Sequence, residues 1–357
     1  MAKITLSNIG HSYNKDKDQS TWALKPLDMV WESGKTYALL GPSGCGKTTI
    51  LNTISGLVTP HQGRLLFDDQ DVTDIPTAQR NIAQVFQFPT IYRSMSVFEN
   101  LSFPLVCRGW KPEKIKARVH EIAEILEITD KLGRSAVKLG ADEKQLISLG
   151  RGLVRDDVSA LLMDEPLTVI DPQSKFELRK KIKAINKINN LTVIYVTHDQ
   201  YEAMTFADEL LVMSFGEVIQ RGTPEQLFEK PNSKYVGNFI GSPAMNFLPV
   251  EAKSSEIYFG STKLKTSSAH TAVTGKAIEV GIRPEYVSLV TGAGENVIEA
   301  ELLGHDDLGS VRVLKCVSGG FPISVKIPRS EGLPTGKNLF LKLPSEKSWL
   351  YQDGHLA

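Results

Sequence analysis

The stretch GPSGCGKT, residues 41 to 48, restricts this chain more than any other. Gly41, Gly46, Lys47 and Thr48 stand at the spacing of a phosphate loop, in which glycines let the backbone wrap an anion with its N–H groups. Pro42, Ser43, Gly44 and Cys45 complete the turn and Thr49 follows it. In this pattern Lys47 reaches the outer phosphates of a nucleotide and Thr48 supplies an oxygen to magnesium. A helix beginning at Lys47 points its positive end at the same anion. The apolar run TYALL (36 to 40) before the loop and the helical stretch TTILNTISGL (48 to 57) after it place the loop between a strand and a helix. The expected fold class is therefore α/β, a P-loop NTPase.

A second motif, ALLMDEP (160 to 166), is an apolar strand ending in two acids. Asp164 is placed to hold magnesium through water, and Glu165 to polarise an attacking water. IAQVF (82 to 86) and TVIYVT (192 to 197) are further compact apolar runs, as strands of a sheet covered on both faces should be. PEKIKARVHEIAEILEI (112 to 128) has helical spacing of apolar residues and opens on a proline suited to a first turn.

From about residue 243 the pattern changes to strands separated by Gly, Pro and Ser turns: KAIEVGIRPEYVSLV (276 to 290), NVIEAELLG (296 to 304), SVRVLKCV (310 to 317) and FPISVKI (321 to 327). Small barrels read this way. The expected domains are 1–240, with a helical subdomain at about 88–155, and a β-rich 241–357. A chain of 357 residues with 41% hydrophobic content is long and apolar enough for two such cores.

Lysine plus arginine equals aspartate plus glutamate at 41 each, so overall charge favours neither nucleic acid nor an anionic surface. The N-terminus lacks the apolar core of a signal peptide, and no apolar run approaches bilayer length, so the chain itself is expected to be soluble. Cys45, Cys107 and Cys316 are odd in number and widely spaced, which suits a reducing compartment and small apolar roles.

Together these motifs resemble the ATP-binding subunits of ABC transporters, and among them the carbohydrate-uptake importers of the maltose and glycerol-phosphate type. The resemblance spans nearly the whole chain and implies ATP and Mg2+ as ligands. It implies that Tyr13 in HSYNKD stacks on adenine and that Gln87 in VFQFP senses magnesium, the attacking water and a membrane subunit. His198 in VTHDQYEAM would contact the terminal phosphate, and Asp171 in LTVIDP would belong to a loop that speaks across a dimer. Glu165, His198 and Gln87 are then the catalytic set, and Thr48, Gln87 and Asp164 the magnesium set. GIRPEYVSL (281 to 289) and FIGSPAMNFLPV (239 to 250) resemble the accessory domain of those importers, an OB-like barrel with a dimerising or regulatory role. That fold alone shows neither nucleic-acid nor sugar binding.

The implied partners are two transmembrane permease subunits, indirectly a solute-binding protein, and no nucleic acid. The implied location is the cytoplasmic face of the inner or plasma membrane. FPTIYRSMSVFENLSFPL (88 to 105) is the expected groove for a permease helix, unless its aromatics are plain core. The cargo class is a sugar, polyol, glycerol or glycerol phosphate. A soluble ABC ATPase of DNA repair or translation is disfavoured, since neither a long coiled-coil insertion nor a second phosphate loop is present.

One departure stands out. The family carries a Leu-Ser-Gly-Gly-Gln signature upstream of the acid pair, and aligning on GRGLVR (150 to 155) puts Leu139, Gly140, Ala141, Asp142 and Glu143 on those positions. Only the leucine survives. In the family one subunit's signature completes the other subunit's nucleotide site. Losing the serine hydroxyl forfeits a charge-assisted hydrogen bond of about 1.5–3 kcal/mol. Asp142 facing a phosphate charge at about 4 Å would cost roughly 4 kcal/mol at an effective dielectric near 20, less if Lys144 or a cation screened it. The rest of the set is complete. A heterodimer with a second, signature-intact ATPase subunit resolves the mismatch; a slow homodimer and a non-hydrolysing regulatory subunit are the alternatives.

Overall fold

A computed structural model describes residues 2–14, 21–253, 256–267 and 277–357. The ends of two stretches named above, residues 15 and 16 and residue 276, lie outside the described residues. The chain divides into two compact units, Met1–Pro224 and Glu225–Ala357.

The first unit runs β1 Ile4–His11, β2 Leu24–Trp31, β3 Thr36–Leu40, α1 Lys47–Ser55, β4 Gln62–Phe67, β5 Gln70–Asp71, β6 Ile82–Val85, α2 Val97–Val106, α3 Pro112–Ile125, α4 Ala141–Leu153, β7 Ala160–Asp164, α5 Pro172–Asn189, β8 Val193–Thr197, α6 Gln200–Phe206, β9 Glu209–Ser214 and β10 Glu217–Gly222. Six strands form a sheet in the order β10-β9-β3-β8-β7-β6, parallel except where β10 returns along β9. β3, β7 and β8 are buried at every position, as their unbroken apolar runs require. A second, antiparallel sheet has the order β2-β1-β4-β5. One apolar cluster joins it to α1 and the main sheet through Ile4, Trp31, Leu39, Ile50 and Val196. Another packs α2, α3, α4 and α5 around Leu101, Val119, Leu149, Ile182 and Tyr195.

Helix ends follow local chemistry. α1 stops at Gly56, which takes the left-handed conformation at φ +80°. α2 opens on a capping box between Ser96 and Glu99, and α3 on Pro112.

The second unit begins ahead of the boundary expected at residue 240. Helices α7 Pro224–Glu229 and α8 Lys234–Phe239 belong with the β-rich part. The reason is Arg283, buried and donating to the carbonyls of Phe228, Gly237 and Ile240, its guanidinium 4.5 Å above the Phe228 ring. Tyr351 adds a bond to Pro231 O at 2.8 Å, and Lys347 an ion pair with Glu229 at 2.7 Å. The rest of the unit is antiparallel strands around one core that includes Leu248, Ile282, Leu314, Val325 and Leu341. Cys45 and Cys316 are buried as expected, whereas Cys107 is exposed because it caps the surface end of α2.

Candidate active site

The phosphate loop forms through a change of backbone hand. Gly44 and Gly46 lie at φ +80° and +104°, where a side chain is disfavoured, and a Cβ on Gly46 would fall 2.5 Å from Ala23 O. The chain then enters α1 with its first N–H groups free of intrahelical partners. Lys47 is buried there, its Nζ donating to Gly41 O at 2.7 Å and Pro42 O at 2.9 Å. A buried ammonium bonded to neutral acceptors at a helix N-terminus attracts an anion, so these residues fit a polyphosphate.

Asp164 ends β7 and is buried. Burial pushes its carboxyl above the usual carboxylate range and the charge of Glu165 adds to this, while a bond from the Thr48 hydroxyl and the charge of Lys47 act against it. That Thr48–Asp164 bond brings together two of the oxygens assigned to magnesium, and the pair fits a hard cation. A bound magnesium ion would neutralise charge on the phosphate oxygens.

In the parallel register Asp164 lies opposite Val196, and Glu165 N donates to Val196 O at 2.9 Å. Glu165 itself sits at φ +45°, a backbone conformation uncommon for a residue with a side chain. Its Oε2 accepts from Gln87 Nε2 at 3.1 Å and lies 3.1 Å from His198 Nδ1. Gln87 and His198, far apart in sequence, thus converge on one carboxylate oxygen of Glu165. The contact of His198 with Glu165 was not legible in the sequence, where His198 was assigned to a phosphate.

Tyr13 is 63% exposed, and its Oη lies 3.3 Å from Thr49 Oγ1. Asp171 caps α5 by accepting Ser174 N at 3.0 Å, and the Ser174 hydroxyl, then this backbone N–H, hold its carboxyl below the usual range. The segment after Gln87 borders a groove of about 940 Å³ between Ile91, Tyr92, Val137, Ala141, Lys144 and Arg151.

At the start of α4, Leu139 is buried and Gly140 is the cap residue. Glu143 Oε2 accepts Gly140 N at 2.9 Å, and Oε1 takes Lys131 Nζ at 2.7 Å. The Lys131 bond, then the Gly140 N–H, hold the Glu143 carboxyl below its ordinary value. Asp142 Oδ1 lies 2.6 Å from where a Gly140 Cβ would be. Two carboxylates of this chain therefore crowd the helix end on which Ala141 stands. Sequence reasoning missed Lys131, although an acid three residues after a cap position is a recognisable signal for the Glu143 contact.

The ABC transporter family profile matches residues 24–168, and that of the MalK OB fold domain matches residues 241–287. The chain is 36% identical over 358 residues to the sn-glycerol-3-phosphate import ATP-binding protein UgpC of Escherichia coli, covering 98% of each. It is 33% identical over 356 residues to the ABC transporter ATP-binding protein YurJ of Bacillus subtilis, covering 96% of this chain and 95% of that one. The chain belongs to the ABC transporter ATP-binding proteins. Among solved structures, cbiO1 from Clostridium perfringens, part of the ABC transporter complex cbiONQ, matches at TM-score 0.57 and 27% identity, covering 64% of this chain and 90% of that one.

This ABC protein is an ATPase coupled to transport, with ATP and Mg2+ as its ligands. The strands of its second unit carry the OB-type domain that the sequence resemblance implied. Among the described residues, no helix is long and apolar enough to cross a membrane.

Proposed function

We propose that this ABC ATPase energises import of a sugar, polyol, glycerol or glycerol phosphate as one half of an asymmetric ATPase pair. The cargo class rests on similarity to glycerol-phosphate import proteins. The asymmetry rests on one contrast. Lys47, Thr48, Asp164, Glu165, Gln87 and His198 stand assembled, while the α4 end that a partner's nucleotide would meet is filled by Glu143 and Asp142.

In its own site Glu165 accepts the proton of the attacking water, with Gln87 and His198 fixing the carboxylate oxygen that does so. Lys47 and the loop N–H groups would hold the outer phosphates, Thr48, Gln87 and, through water, Asp164 would hold magnesium, and Tyr13 would stack on the base. A signature-intact ATPase subunit completes this site. The Leu139–Glu143 loop faces the partner's nucleotide and makes a second site that turns over slowly, and Asp171 lies in the loop between the two. Two permease subunits, one seated in the groove beside Tyr92, receive the movement at the cytoplasmic face, and a solute-binding protein delivers the cargo.

The test is steady-state ATP hydrolysis by the purified chain, alone and mixed with a signature-intact companion. Silence alone and turnover when mixed, abolished by Glu165→Gln, is the expected result. Asp142→Gly by itself restores little, because Ala141 and Glu143 remain. Vigorous hydrolysis by the chain alone would establish a homodimer instead.

A further inference from the structure

Around Tyr13 lies an aromatic layer that the phosphate chemistry does not use. His11, buried at the end of β1, meets Tyr13 edge-on with ring centroids 4.7 Å apart and planes at 82°. His61, exposed in the turn before β4, packs on His11 with centroids 4.7 Å apart and Nδ1 atoms 3.1 Å apart. The same His61 Nδ1 accepts Ser12 N at 3.2 Å, and His61 N donates to Gly10 O at 2.9 Å. Trp22 lies 6.1 Å from His61, and a Cβ on Gly10 would fall 2.7 Å from that indole, so glycine leaves room for the ring.

His61 Nδ1 accepts the Ser12 N–H with its one in-plane lone pair, so this nitrogen carries no proton, and the His11 ring lies against it. Burial, then the neighbouring His61, hold His11 below the ordinary imidazole value, against the pull of the Thr59 carbonyl. His61 thereby holds the backbone of Ser12 by a hydrogen bond and the ring of His11 by packing, and these two residues directly precede Tyr13.

We propose that His61 is a positioning residue for the nucleotide base: it pins Ser12 and His11, and through them fixes the ring of Tyr13. This rests on the reading of Tyr13 as the base-stacking residue. The bond from Oη to Thr49 restrains only the tip of an otherwise open ring. The edge contact with His11 restrains its body. Stacking on a ring already held in place avoids the ordering cost that a free side chain would bear on binding.

The experiment measures binding of ATP and of inorganic tripolyphosphate to the full chain with Mg2+, for wild type, Tyr13→Ala, His61→Ala and His61→Asn. Tripolyphosphate uses the phosphate loop and has no base to stack. His61→Ala is expected to raise the Kd for ATP about tenfold and leave that for tripolyphosphate unchanged. His61→Asn, whose amide oxygen takes the place of Nδ1 and accepts Ser12 N–H, is expected to recover most of the loss. Equal weakening of both ligands in His61→Ala would make the residue merely structural and overturn the proposal. Failure of Asn to rescue would overturn the acceptor role. If Tyr13→Ala weakens ATP but His61→Ala does not, positioning fails while stacking stands; if Tyr13→Ala binds ATP like wild type, the stacking reading fails and positioning with it.

Discussion

Glu143 joins two contacts with one carboxylate, the Gly140 N–H at the start of α4 and the Lys131 ammonium. Its pKa in the folded chain lies below the ordinary glutamate value of about 4.3. Its stabilisation is therefore present at neutral pH and is lost as pH falls from that value through the depressed one. Glu143→Gln should lower stability at pH 7 by about 1 kcal/mol or less. The gap between the thermal melts of the two proteins should narrow as pH falls below the ordinary glutamate value and through the depressed one, and a gap of the same size across the whole acid range would deny the charge any part. Phe215 presents the opposite case, a side chain at odds with its backbone. It lies at φ +45° beside Gly216 at φ +79° in the two-residue turn between β9 and β10, and is 84% exposed. Asn-Gly is the preferred pair for such a turn. Phe215→Asn is expected to raise stability by about 1 kcal/mol in urea unfolding, and no gain would mean the turn holds the phenylalanine without strain. The phosphate loop was legible because its chemistry is contiguous in sequence. The meeting of Gln87, Glu165 and His198 was not, because it depends on the pairing of β7 with β6 on one side and β8 on the other.

At the scale of elements, β3, β7 and β8 could be read directly, since burial on both faces leaves an unbroken apolar run. The antiparallel sheet of β1, β2, β4 and β5 escaped notice because its strands are half-exposed and bulged, which blurs the alternation. What joins elements also escaped. Glu202 of α6 is buried and accepts Tyr195 Oη at 2.7 Å and Thr197 Oγ1 at 3.0 Å, both from β8. Its other oxygen faces Lys175 at 3.2 Å and Arg179 at 3.7 Å, both from α5. One carboxylate thus ties the strand that leads to His198 to the helix that Asp171 caps. Glu202→Gln keeps the shape and removes the charge, leaving two cations without their partner. It should cost about 2–3 kcal/mol in denaturant unfolding. ATP turnover, assayed in the mixed complex at a temperature where the variant is fully folded, should fall as well, because His198 follows directly on Thr197. Full turnover in a folded variant would confine Glu202 to stability.

For the whole molecule, the onset of strand-and-turn patterning places the change of domain near residue 240, whereas residues 224–229 and 234–239 are helical. Their hydrogen bonds say otherwise. Arg283 reaches back to Phe228, Gly237 and Ile240, Tyr351 to Pro231, and Lys347 and Tyr286 to Glu229. Burial lowers the Arg283 guanidinium to about 10, so it is still charged at neutral pH and depends on those carbonyls. Each bond to a charged donor contributes about 1.5–3 kcal/mol, and a buried cation stripped of several would unfold a small domain whose whole margin is about 5–15 kcal/mol. We propose the boundary at Pro224 for this reason, and two fragments test it. A fragment of residues 225–357 should melt cooperatively, whereas one of residues 241–357 should show no cooperative transition. Arg283→Met in the longer fragment removes the charge along with its bonds and is expected to cost less than the deletion does, because it leaves no unpaired cation behind. If the 241–357 fragment melted like the longer one, α7 and α8 would be a mere linker, and the patterning boundary would be the physical one.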